Sequence, residues 1–182
     1  VLLLLIHFFG KKQVVETWMV GGTAKQRKCF PVHTITKKLP QNIIQNILGF
    51  HAVTGCDTTS SFTGYGKKKC WKVFEEHAHL LSGIGRDGLF DDAEEFVCRI
   101  YRAPDPLAGI NQCRTDLFER GSKELEKLPP TKDSLTLHLI RSNYQAKIWL
   151  QVTIPFQELA LPVETGGWKA SADSNLEIAW TT

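Results

Sequence analysis

The segment His51-Ala-Val-Thr-Gly-Cys-Asp-Thr-Thr-Ser-Ser-Phe-Thr-Gly-Tyr-Gly-Lys-Lys-Lys-Cys-Trp-Lys-Val73 joins the end of one helix to the start of the next. Upstream of it, Pro40 opens a helix, where its missing N–H costs nothing. Ile43, Ile44, Ile47, Leu48, His51 and Ala52 fall at helical spacing and give that helix an apolar face. Gly55 ends it in the manner of a C′ glycine. A loop rich in Thr, Ser and Gly follows from Cys56 to Gly66, and then a helix from about Lys67 to Leu81 with Cys70, Trp71, Phe74, His77 and Leu81 as its stripe. Asp57 is the lone carboxylate of this stretch. Gly64-x-Gly66 lets backbone N–H groups approach an anion closely, and the helix start adds a favourable dipole. Lys67, Lys68 and Lys69 supply long-range attraction for a phosphate backbone. Asp57 beside such a site suits a divalent cation, since Mg²⁺ takes oxygen ligands and fills its shell with water and phosphate.

Working outward, Val1-Leu-Leu-Leu-Leu-Ile-His-Phe-Phe9 is half the length of a membrane span and reads as a buried central strand of a parallel sheet. A chain that starts in mid-strand is expected to be a piece of a longer one. Val14–Val20 suggests a second strand and Lys25–His33 a basic hairpin arm. Downstream, Asp91–Tyr101 predicts a helix whose acidic first turn suits its dipole. Ala103-Pro-Asp-Pro106 breaks the chain, residues 111–127 read as helical, and Leu128-Pro-Pro130 breaks it again. Thr131 caps a last long helix to about Gln151. The tail alternates about Asp173-Ser-Asn175, so Trp168 to Trp180 predicts a hairpin.

The 182 residues are 42% hydrophobic, 23% charged and 10% aromatic, a globular composition that excludes a disordered or low-complexity chain. Five cysteines without a C-x-x-C pair argue against a zinc ribbon and a disulfide framework, and for a reducing compartment. The net charge of +3 hides an asymmetry: residues 1–72 carry +9 and residues 73–182 carry −6. The first part is therefore expected to face an anion.

Gly55-Cys56-Asp57, small polar residues and then Gly64-Tyr-Gly66-Lys before a helix resemble the signature of the flap-endonuclease branch of the PIN-like nucleases. The lead-in is similar as well: an apolar segment, a basic arm, Phe30-Pro-Val and a short helix. The likeness covers about residues 1–82. It implies an α/β fold, the C-terminal part of a PIN-like domain with a Rossmann-like parallel sheet and a helix–turn–helix-like DNA-binding element. A helical extension over 83–151 and a β-hairpin tail over 152–182 would follow. It further implies that Asp57 is a catalytic metal ligand, and that Gly64, Gly66, Lys67, Lys68 and Lys69 grip a DNA strand, with a monovalent cation at the Gly64–Gly66 turn. Two Mg²⁺ or Mn²⁺ ions would activate water for phosphodiester hydrolysis. The partner would be DNA, including branched or flap DNA, and the setting intracellular and nuclear, away from membranes. Glu16 is the only other acid before residue 73, so further carboxylates are expected upstream of Val1 if the protein cuts. His51–Val73 and the Leu128-Pro-Pro-Thr-Lys-Asp-Ser-Leu and Asn143-Tyr-Gln-Ala-Lys-Ile-Trp149 motifs also resemble an uncharacterised animal family whose dispersed copies suggest a mobile-element origin.

Two other readings stand beside the nuclease. One is a non-catalytic nucleic-acid-binding module or a decayed, mobile-element-derived protein. The other is an interaction scaffold whose basic half is only a solvated face. A His51–Asp57–Ser60 triad lacks a nucleophile elbow. His77 and His79, two apart, do not share a helix face. Cys56 reads better as a small residue under the turn than as a nucleophile, and Trp71, Trp149, Trp168 and Trp180 better as packing groups than as base-stacking platforms.

Overall fold

From Asn46 onward Gln41–Val53 (α3) is buried on nearly every side, and such a helix is stable only when other elements surround it. Ile43, Ile47, Leu48, Phe50, Ala52 and Val53 are all essentially removed from solvent. The computed structural model describes residues 1–9, 15–86, 88, 90–121, 124–173 and 175–180. Around α3 it arranges α1 (Leu2–Phe9), β1 (Trp18–Thr23), β2 (Gln26–Pro31), α2 (Val32–Lys38), α4 (Lys67–His77) with a following 3₁₀ turn (Ala78–Leu81), α5 (Asp91–Tyr101), α6 (Ile110–Glu119), α7 (Lys132–Leu150), α8 (Pro162–Thr165), β3 (Trp168–Ala170) and β4 (Leu176–Ile178). The class is mixed α/β. Phe50 stacks on Phe74 of α4 at 4.6 Å between ring centroids, and Phe74 meets Phe96 of α5 edge-on at 6.5 Å. Truncating an aromatic at such a position typically costs about 3–5 kcal/mol.

The strands among the described residues form two separate antiparallel hairpins, β1–β2 and β3–β4. The basic arm expected over Lys25–His33 supplies only one strand of a hairpin: Gln26–Pro31 pairs with Trp18–Thr23, with Thr23 opposite Gln26 at the turn, and Val32 and His33 already belong to α2. The first strand of the hairpin starts at Trp18 and runs through Gly21 and Gly22. Val14, the expected start, lies outside the described residues.

Val1–Phe9 is not the strand its apolar run suggests: Leu2–Phe9 is a helix. An unbroken apolar run has no periodicity to separate a buried strand from a buried helix. Local propensity then decides, and within Leu2–Phe9 four leucines outweigh the single β-branched Ile6. His7 is buried there and donates from Nδ1 to the Ile44 carbonyl at 2.9 Å.

The other helices follow their signals closely. α5 has the predicted bounds, and the Thr131 hydroxyl accepts from the Ser134 N–H at the start of α7. The helix expected over 111–127 is shorter, because Gly121 takes a positive φ of 58° after Glu119 and stops it. A short 3₁₀ turn, Leu125–Lys127, follows. The helix from Lys67 leaves α geometry at His77, whose φ of −128° ends the ladder. Residues 83–151 do not form a core of their own. α5 and α7 share one apolar cluster with α3 and α4.

Candidate nucleic-acid interface

The last carbonyls of a helix have no partner within it and must find one elsewhere. At the end of α3 four side chains from three parts of the chain meet that need. His138 of α7 donates from Nε2 to the Val53 carbonyl at 2.8 Å, and the Ala52 carbonyl accepts from the hydroxyls of Thr59 at 2.7 Å and Ser142 at 3.2 Å. The Lys67 ammonium donates to the His51 carbonyl at 3.1 Å, to Thr54 Oγ1 at 2.9 Å and to the Gly55 carbonyl. A cation at a helix C-terminus is also favoured by the dipole. All three ammonium protons of Lys67 are thereby committed, and burial pulls its pKa below the ordinary lysine value.

Gly55 turns the chain away from α3 with φ +99°, and a Cβ there would lie 2.8 Å from the Ser61 Cβ. Cys56 and Thr59 then pair across a tight turn, with Cys56 N to Thr59 O at 3.0 Å. Asp57 is exposed at the tip of that turn and makes no hydrogen bond or ion pair among the described residues. Burial pushes the Cys56 thiol up, but hydrogen bonding with Thr58 and Thr59 outweighs it and holds the thiol below its ordinary value. A second tight turn, Phe62–Tyr65, carries Gly64 at φ +80° and delivers the chain to α4.

At that point the N–H groups of Gly66, Lys67 and Lys68 donate to no acceptor among the described residues, and no side chain caps the helix. A Cβ at Gly64 or Gly66 would meet nothing within 4 Å. The backbone here faces open space.

That space is a cleft of about 1500 Å³ between the Ser61–Val73 segment and the end of α5. Seven basic residues line it, Lys67, Lys68, Lys69, Lys72, Lys127, Arg99 and Arg102, and no Asp or Glu does. Several of the cations have partners. Lys69 Nζ donates to the Gly64 carbonyl at 2.8 Å and lies 5.7 Å from the centre of the Tyr65 ring. Arg99 pairs with Glu95 at 2.6 Å and Lys127 with Glu124 at 2.8 Å, both acids standing outside the lining. Lys68, Lys72 and Arg102 are exposed and have no partner among the described residues. Lys68 and Lys72 are four apart on α4 and so share a face. Arg102 holds φ +61°, ψ +46° at the end of α5. That left-handed conformation costs a non-glycine residue about 1–2 kcal/mol, and glycine is the usual residue there. Tyr65 and Tyr101, 4.6 Å apart, form part of the wall.

The expected site residues therefore divide. Gly64, Gly66, Lys68 and Lys69 stand in the cleft wall with open space before them. Lys67 is in the wall too, but its ammonium is turned inward onto α3. Asp57 is outside the lining. Sequence reasoning missed Lys72, which helical spacing from Lys68 could have found. It also missed Arg99 and Arg102, which lie in the half with the acidic excess.

The metals that the resemblance implies need several side-chain donors close together. No group of three or more His, Cys, Asp or Glu side chains able to hold a metal ion occurs among the described residues. Asp57 with its neighbouring threonines does not make a two-metal site. The Gly64 carbonyl, which would face a monovalent cation, already holds the Lys69 ammonium.

No described helix is long and apolar enough to cross a membrane. His77 is half-buried and His79 exposed, as their spacing predicts. Trp71 and Trp149 pack against the core, Trp149 with its ring stacked 4.9 Å from His51. Trp180 is 73% exposed and packs little. No protein-family model, curated protein or solved structure matches the chain.

Proposed function

We propose that this chain binds the phosphate backbone of a nucleic acid, DNA in the first instance, along the cleft beside Gly64–Lys72. The observation that carries the reading is the lining: seven basic residues, no carboxylate, and three of the cations unpaired. Nucleic acid is the polyanion that best repays such a surface, because each neutralised phosphate releases condensed counterions. The unpaired N–H groups at the start of α4 add donors that suit a phosphate oxygen. Tyr65 and Tyr101 give the wall a flat apolar part next to its charges.

The flap-endonuclease-like reading is the catalytic form of the same proposal. In it a PIN-like parallel sheet, Mg²⁺ or Mn²⁺, a monovalent cation at the Gly64 turn, flap or branched DNA and a nuclear setting all belong together. It needs several carboxylates beside Asp57, and the described residues offer none there. Binding rather than cleavage is therefore the form proposed.

The test is binding of labelled duplex, flap and single-stranded DNA across a salt series. With three unpaired cations, log K against log salt should fall with a slope of about −2 to −3 or steeper. No binding to any of these at low salt would overturn the reading, and a preference for RNA would replace its DNA part. Mg²⁺-dependent cleavage that Asp57→Ala abolishes would restore the catalytic form.

A further inference from the structure

Beside α7 another, smaller pocket of about 170 Å³ carries a charge left unbalanced among the described residues. Arg141 is only 7% exposed, yet it makes no ion pair among the described residues. Of its five N–H groups one is used, from Nη1 to the Ala179 carbonyl at 3.3 Å. A buried guanidinium without an anion is costly, since taking it out of water is repaid only by a well-placed counter-charge. The guanidinium lines the pocket together with Thr58, Gln145, Ile148, Pro162 and Trp168.

The free donors of this pocket belong to Arg141 and Gln145. Thr58 Oγ1 donates to Gln145 Oε1 at 2.6 Å, which fixes the amide with its NH₂ end unbonded. The Tyr144 hydroxyl, also on the wall, donates its proton away to the Ala160 carbonyl at 3.0 Å. The remaining wall is apolar. The end of an occupant that meets Arg141 and Gln145 must therefore bring acceptors and one negative charge, and the rest of it an apolar body. A carboxylate meets the fork of a guanidinium with two parallel hydrogen bonds. A phosphate dianion would call for a second cation and would leave the apolar wall against polar oxygens. The space is close to the roughly 150 Å³ cavity that admits benzene.

We propose that this pocket binds an organic carboxylate bearing an apolar group, with Arg141 and the Gln145 amide on the carboxylate and Trp168, Ile148 and Pro162 around the apolar part. Two sources present that chemistry, a free small acid and the C-terminal residue of a peptide. The site is independent of the basic cleft and of any nucleic acid bound there.

The experiment is a titration of the whole chain, ¹⁵N-labelled at tryptophan, read at the Trp168 indole N–H, which Trp168→Phe identifies. The probes are 3-phenylpropionate, its amide, a short peptide ending in phenylalanine with a free or amidated C-terminus, and inorganic phosphate. A saturable shift with the acids, at least about tenfold weaker with the amides and phosphate, is expected. The tighter of the acid and the free peptide identifies the source, and either supports the site. Arg141→Gln should abolish the shift. Because Arg141 is buried, Gln145→Glu serves as a second variant: it places a carboxylate on the half-exposed pocket wall, occupies Arg141 from within, and should weaken 3-phenylpropionate by at least about tenfold. No saturable shift, an equal response to the amides, preference for phosphate, or unchanged binding by Gln145→Glu would each overturn the proposal.

Discussion

The ammonium of Lys67 lies 2.9 Å from the hydroxyl oxygen of Thr54 and also bonds the carbonyls of His51 and Gly55. A lysine at the lip of a basic cleft is thus the cap of another helix, and its neighbour Lys68 is the one that faces outward. Charge along Lys67–Lys69 is divided between holding the fold and meeting a ligand. The division makes separate predictions for residues that look alike in the sequence.

Replacing Lys67 by Met should destabilise the protein by about 2–3 kcal/mol, since a charge-assisted cap is lost and helix carbonyls are left unpaired. Lys68→Met should change stability by no more than about 0.5 kcal/mol, as surface substitutions generally do. Chemical denaturation of the two variants checks the contrast. Equal effects would mean that Lys67 is not a cap.

The three glycines of the loop should respond in order. Gly55→Ala meets Ser61 at 2.8 Å and a φ of +99°, and should cost more than about 2 kcal/mol. Gly64→Ala has open space but a φ of +80°, and should cost about 1–2 kcal/mol. Gly66 has φ −68° and ψ 163°, with nothing near its Cβ position, so Gly66→Ala should leave stability within about 0.5 kcal/mol. It should nonetheless weaken nucleic-acid binding, because a methyl group would stand between the α4 N–H groups and a phosphate. Thermal denaturation and DNA affinity, measured side by side, distinguish the three.

His138 gives stability a pH dependence. Burial, opposed by its bond to Val53 and aided by Arg141, lowers its pKa below the usual 6.5. Below that value the unfolded chain binds a proton that the folded one refuses. Stability is therefore full above about pH 6.5 and falls with pH below it, by at most about 1.4 kcal/mol per unit for this group. His51, whose pKa burial and Lys67 lower, adds in the same direction. Denaturation at a series of pH values should show a shallower decline for His138→Gln than for the parent. An identical decline would mean that His138 titrates normally in the fold.

Much of the framework is legible from sequence because its signals are local. Thr131 caps α7 with its own hydroxyl, the acids of α5 sit in its first turn, and Gly55 takes the positive φ its position requires. Leu2–Phe9 is not legible, since an unbroken apolar run lacks the periodicity that distinguishes strand from helix. The cleft is legible only in half. Gly64, Gly66 and Lys68 announce themselves in one stretch, but Arg99 and Arg102 reach it through the packing of α5 on α4. The inward turn of Lys67 depends on where α3 ends in space, which no spacing along the chain encodes.

The central claim is that the unpaired cations of the cleft hold a phosphate backbone. The most direct measurement is DNA affinity against salt for the parent chain and for a variant with Lys68, Lys72 and Arg102 all changed to Gln, after denaturation has shown both to be folded. A roughly hundredfold loss of affinity at low salt and a slope flatter by about 2–3 are expected. Affinity and slope unchanged from the parent would contradict the claim.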